Sequence, residues 1–99
     1  MDVLKQIKQL IRKEDKRIIR SSAMEGAWSL GLSTADIIRC TLKLTETDYV
    51  GKRKLSSQEA SKETGYVFKA LWEGKSLYIK FKLFAGCLYI LSFKESTDE

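Results

Sequence analysis

The chain contains no histidine and no proline, only two cysteines, and no apolar run of the length that crosses a membrane. Each absence narrows the chemistry. Without histidine, a serine or cysteine hydrolase with an imidazole base is excluded, as is a ribonuclease built on paired histidines. Cys40 and Cys87 are too few for a disulfide framework or a four-thiolate zinc site, so both are expected as free thiols in a reducing compartment, and neither metal nor cofactor is expected. Gly26 and Gly31 do not have the spacing of a phosphate-cradling loop. The N-terminal segment is studded with lysines, which argues against a signal peptide and for a cytoplasmic protein.

What is present is basic charge and a strongly patterned C-terminal half. Lys and Arg number 18 against 13 Asp and Glu, a net charge of +5 over 99 residues, which favours an anionic partner. Ninety-nine residues with 43% hydrophobic content suffice for a single domain without covalent staples.

The strongest pattern lies in Lys75 to Lys94. Leu77, Ile79, Phe81 and Leu83 occupy one parity and Tyr78, Lys80 and Lys82 the other, which is a strand with one buried and one basic face. Gly65 to Glu73 reads as the preceding strand, joined by a two-residue turn at Glu73-Gly74 that pairs Trp72 with Lys75, Lys69 with Tyr78 and Phe68 with Ile79. For the next turn, a two-residue loop at Ala85-Gly86 would bury Lys94 beside Leu77. A three-residue loop, Ala85 to Cys87, avoids this and pairs Phe81 with Leu91, Ile79 with Phe93 and Tyr78 with Lys94. Lys69, Tyr78 and Lys94 then form one row across three strands.

Upstream, Asp2 to Glu14 has the apolar spacing of an amphipathic helix, and Arg17 to Arg20 a short extended piece. Ser22 with Glu25 signals a capped second helix ending at Gly31, with Trp28 and Leu30 expected in the core. Ser33 with Asp36 caps a third helix, and Thr45 to Asp48 forms another cap; Glu46 and Asp48 are better explained by capping than by acid/base chemistry. Gly51 to Gly65 lacks hydrophobic periodicity and reads as a loop, and Glu95 to Glu99 as a short acidic tail. The expected architecture is α+β, with N-terminal helices on one face of a C-terminal antiparallel meander.

Lysines on a wet sheet face ordinarily serve solubility. Here Lys69, Lys80, Lys82 and Lys94 gather around Tyr78 without an expected acidic neighbour, which suits an anion. Lysine, arginine and tyrosine suffice for phosphodiester chemistry on RNA, because the substrate's 2′-hydroxyl is the nucleophile. The protein need only position the backbone, offset charge on the phosphorane and move a proton.

The order Leu44-Thr45-Glu46-Thr47-Asp48-Tyr49, then Leu77-Tyr78-Ile79-Lys80, then Ser92-Phe93-Lys94-Glu95 resembles the MqsR family of bacterial mRNA interferase toxins, which share the RelE-like toxin fold. The resemblance covers roughly Leu30 to Glu95. It implies an endoribonuclease acting on mRNA and a cognate antitoxin protein as partner. The family's strand tyrosine falls on Tyr78 and the lysine of its Ser-Phe-Lys-Glu ending on Lys94. A third family lysine falls near Lys52, one residue displaced, while the family's glutamine has no counterpart in Thr64-Gly65. The expected catalytic set is therefore Tyr78, Lys94 and Lys52, with Lys69, Lys80, Lys82, Arg53 and Lys54 contacting the RNA. Two alternatives stand beside this reading, the first of them on the same face. One is a module that grips nucleic acid or an acidic protein without cutting; the other is a toxin of this fold that poisons a protein target. The oligomeric state is not legible in the sequence.

Overall fold

The computed structural model of the protein describes residues 1–54 and 64–96. In chain order it comprises α1 (Asp2–Ile11), β1 (Arg17–Ile19), α2 (Ser21–Ser29), α3 (Thr34–Leu42), a single 3-10 turn (Glu46–Asp48), β2 (Tyr49–Lys54), β3 (Thr64–Trp72), β4 (Lys75–Phe84) and β5 (Cys87–Glu95). This is the expected α+β fold, helices first and strands after. The five strands form one sheet in the order β1-β5-β4-β3-β2, in which only the β1–β5 pairing is parallel.

The core lies between the helices and one face of the sheet. Leu4, Ile7 and Ile11 of α1 and Ile37 and Cys40 of α3 cluster with Phe68, Leu77, Ile79, Phe81, Leu88, Ile90 and Phe93. The β3 and β4 residues in that cluster and Phe93 follow the parity read from the sequence, whereas Leu88 and Ile90 lie on the opposite parity of β5. The α3 helix starts with the anticipated capping box: the Ser33 N–H donates to Asp36 Oδ2 at 2.9 Å, and the Asp36 N–H donates to Ser33 Oγ at 3.3 Å. Thr45 and Asp48 cap the 3-10 turn in the same way.

Helix α2 departs from expectation. Its N-cap is Arg20, without a side-chain cap, because β1 runs directly into it. The Ser22 hydroxyl instead donates to the Leu91 carbonyl at 2.8 Å, along the part of β5 beyond its pairing with β1. Ala23 and Ala27, one turn apart, are fully buried. At Gly26 an added Cβ would stand 2.1 Å from the Phe93 carbonyl oxygen, so the helix lies directly on the β5 backbone. Trp28, next to Ala27, is turned away by the helical twist and is 63% exposed, not in the core as expected; Leu30 does pack against the core.

The segment read as a loop from Gly51 to Gly65 carries strand at both ends, since β2 reaches Lys54 and β3 begins at Thr64; residues 55–63 lie outside the described residues. The acidic tail begins later than expected, because Glu95 is still paired, with Leu77. Residues 97–99 lie outside the described residues.

The first hairpin is as expected, with Trp72 opposite Lys75 and positive φ at Glu73 (51°) and Gly74 (80°). The second corrects the three-residue loop. Phe84 pairs with Cys87 across a two-residue turn with positive φ at Ala85 (54°) and Gly86 (75°), and Phe81 pairs with Ile90. The register then shifts between Lys80 and Phe81, leaving Leu91 as the extra residue of a β-bulge. Beyond it Ile79 faces Phe93 and Tyr78 faces Lys94, the pairs the longer loop was meant to secure. The bulge thus keeps Lys94 out of the core while preserving the tight turn.

Candidate nucleic-acid interface on the open sheet face

Strands alternate their side chains, so the residues between the core positions of β3, β4 and β5 belong to the face opposite the helices. Lys69, Tyr78 and Lys94 lie in register there, in a single row across the three strands. Directly paired side chains on one face stand within contact distance. Tyr78 and Lys69 are half-buried and Lys94 is exposed; the Lys94 Nζ lies 5.3 Å from the centre of the Tyr78 ring. The next row carries Ser92, Lys80 and Val67, of which Val67 is buried, so the face is open along β4 and β5 and not at this end of β3. Neither Lys80 nor Lys94 forms an ion pair with any described carboxylate.

The anticipated residues divide into three groups. Tyr78, Lys94, Lys69, Lys80 and Lys82 share the open face. Lys52 does not: it pairs with Tyr66, which packs against the core, and its ammonium lies 6.0 Å from the centre of the Tyr66 ring. It therefore sits on the helix side of edge strand β2, apart from the row. Arg53 and Lys54 end β2 opposite Gly65 and Thr64, and their side chains lie outside the described residues.

Lys82 was anticipated as an open phosphate contact and is instead only 8% exposed. Its ammonium lies 4.8 Å from the ring centre of Tyr89, its cross-strand partner, and 5.4 Å from that of Phe84. The Arg20 guanidinium is 6.0 Å from the centre of the Tyr89 ring. Sequence reasoning missed Arg20, Phe84 and Tyr89, because the three-residue loop would have put Tyr89 on the core side. The signal was present: the apolar positions change phase from Leu88 and Ile90 to Leu91 and Phe93.

Three ionisable groups outside this face are perturbed by the fold. Burial pushes the Cys40 thiol up to about 12. The Ser33 backbone N–H, then the Arg39 guanidinium, hold the Asp36 carboxyl below its ordinary range. Glu46 is taken up by the amino group of Met1. Among the described residues, no helix is long and apolar enough to cross a membrane.

Comparison with curated proteins returns no match. The profile of one protein family, described as motility quorum-sensing regulator, toxin of MqsA, matches residues 2–95, nearly the whole chain. That span takes in α1 and α2, which contributed little to the resemblance read from the motifs, together with the strands that carry the open-face row. The chain belongs to the MqsR toxin family, the toxin side of a toxin–antitoxin pair.

Proposed function

We propose that the protein is an endoribonuclease that cuts mRNA without a metal ion, working in the cytoplasm and restrained by its cognate antitoxin. The observation that carries this is the Lys69–Tyr78–Lys94 row on the face opposite the helices. An extended single strand of RNA laid across that face meets a phenol flanked by two ammonium groups. The 2′-oxygen attacks the adjacent phosphorus, the bond to the 5′-oxygen breaks, and the products carry a 2′,3′-cyclic phosphate and a 5′-hydroxyl. A proton must leave the 2′-hydroxyl and another must reach the departing 5′-oxygen. A tyrosine hydroxyl both donates and accepts, which suits Tyr78 to that transfer. The Lys94 ammonium offsets the charge that gathers on the phosphorane, and it is already beside the Tyr78 ring. Lys69 and Lys80 hold neighbouring phosphates. Lys52, on the other side of the sheet, is assigned a minor part at the margin.

The test is cleavage of a single-stranded RNA by purified protein with a chelator and no ribosomes. Cutting is expected, with cyclic-phosphate ends, and a 2′-deoxy substitution at the cleaved nucleotide abolishes it. An RNA left intact under these conditions contradicts the reading. One observation favours the non-catalytic alternative: Gly65, in the region where the family's glutamine has no counterpart, shares the parity of Lys69, is buried and contributes no side chain. Under that alternative RNA is bound in a salt-dependent way without product.

A further inference from the structure

Strand β4 carries Tyr78, Lys80, Lys82 and Phe84 in succession along the open face. At a strand's rise per residue, Lys82 stands about 13 Å and Phe84 about 20 Å from Tyr78. At this far end the composition changes from lysines around one phenol to rings interleaved with cations. Lys82 lies between the Tyr89 and Phe84 rings, and Arg20 approaches Tyr89. Tyr89 also pairs with Ile18 of β1, which is 39% exposed. Phe84 is 54% exposed although it directly precedes a tight turn that any polar residue would serve.

Burying a lysine ammonium is costly, and the two rings recover part of that cost through their negative faces. The same contacts fix the orientation of Phe84. An exposed ring held over a cation, with a second cation near and more lysines toward the row, is the composition of a surface that stacks a base and follows its phosphates. The opposite sign of charge and the continuity with the row through Lys80 point to the same single-stranded chain that crosses Tyr78.

We infer that Phe84, backed by Lys82 and Tyr89, is a stacking subsite for a base of the single-stranded RNA a few nucleotides from the cleaved bond, with Arg20 near the adjoining phosphate. The inference rests on the proposed RNA substrate and names how that substrate is gripped. Phe84 is a binding residue here, remote from the bond that breaks.

The experiment measures binding of short fluorescent single-stranded RNAs in a Lys94→Ala background, with a 2′-deoxy sugar at the cleaved nucleotide so that none is cut, each RNA having one base removed at successive positions. Phe84→Leu keeps an apolar side chain but loses the ring. It is expected to weaken binding roughly five- to hundred-fold, the worth of one stacked base. The salt dependence should stay unchanged, because no charge is lost. Phe84→Trp should restore affinity. With Phe84 present, removing the base at one flanking position should cost as much as Phe84→Leu; in the Phe84→Leu variant, that position should no longer matter.

Equal affinity of Phe84→Leu and its parent background overturns the subsite, as does a loss spread over all base positions. If Phe84→Leu binds RNA normally but loses the antitoxin, the patch is a protein interface and the inference is wrong. The two readings fail separately. A protein that shows the Phe84 pattern but leaves RNA uncut loses its catalytic assignment and keeps the subsite; one that cuts RNA but binds it as tightly with Phe84→Leu as with phenylalanine does the reverse.

Discussion

The two faces of the sheet are made by the same strands and carry opposite kinds of side chain. On the helix side Phe68, Leu77, Ile79, Phe81 and Phe93 are fully buried. One residue over on each strand, Lys69, Tyr78, Lys80 and Lys94 keep contact with solvent. Period-two alternation alone separates them, so a slip of one residue would exchange the faces and put lysines in the core. The Leu91 bulge is where this is managed: it restores the alternation between a tight turn and the Tyr78–Lys94 pair. Stability is expected to reside in one face and RNA chemistry in the other.

That division is open to attack from the core side first. Phe93→Ala should cost about 3–5 kcal/mol by denaturant unfolding, the range for emptying a buried phenylalanine site. A cost near zero would mean that the helix side does not hold the fold. Gly26→Ala is next. Its methyl group would meet the Phe93 carbonyl oxygen, which is backbone and gives little. The expected loss is about 1–3 kcal/mol, with α2 pushed off β5. Should this variant unfold at the parent's midpoint, the close seating of α2 is not a requirement.

Smaller again is the cap of α3. Ser33→Ala should cost about 1 kcal/mol and leave RNA cleavage unchanged. Its partner Asp36 adds a pH signature. The folded carboxyl is held below its unfolded value, so its contribution is present above the unfolded range and is lost as pH falls through the folded one. Asp36→Asn should flatten that acid limb in a pH series of thermal midpoints. An unchanged limb would show that the cap does not titrate.

Much of this was legible because the sequence states it locally. Strict alternation from Leu77 to Leu83 gives β4 and its faces, and Glu73-Gly74 sets the first hairpin without knowledge of anything distant. Ser33 and Asp36 signal a cap from three residues of spacing. What escaped depends on partners far along the chain. Strand β2 was hidden because its second half is Lys52-Arg53-Lys54, polar residues made extended by pairing with β3. Trp28 was expected in the core, but the helix is seated on Ala23, Gly26 and Ala27, whose smallness is the packing signal. The Lys82–Tyr89 contact escaped because regular pairing and a bulge give the same partners near Tyr78 and different ones near the turn.

The row itself is tested most directly by single-turnover cleavage of one RNA, in chelator, by the parent, Lys94→Ala, Tyr78→Phe and Lys52→Ala. Lys94→Ala should be more than ten-fold slower, as befits a group acting in the transition state, and Tyr78→Phe should also be slowed. Lys52→Ala, on the helix side, should stay within about three-fold, the scale of a marginal charge contact. Parent-like rates for both Tyr78→Phe and Lys94→Ala, or a Lys52→Ala deeper in its loss than Lys94→Ala, would contradict the assignment of the chemistry to the open face.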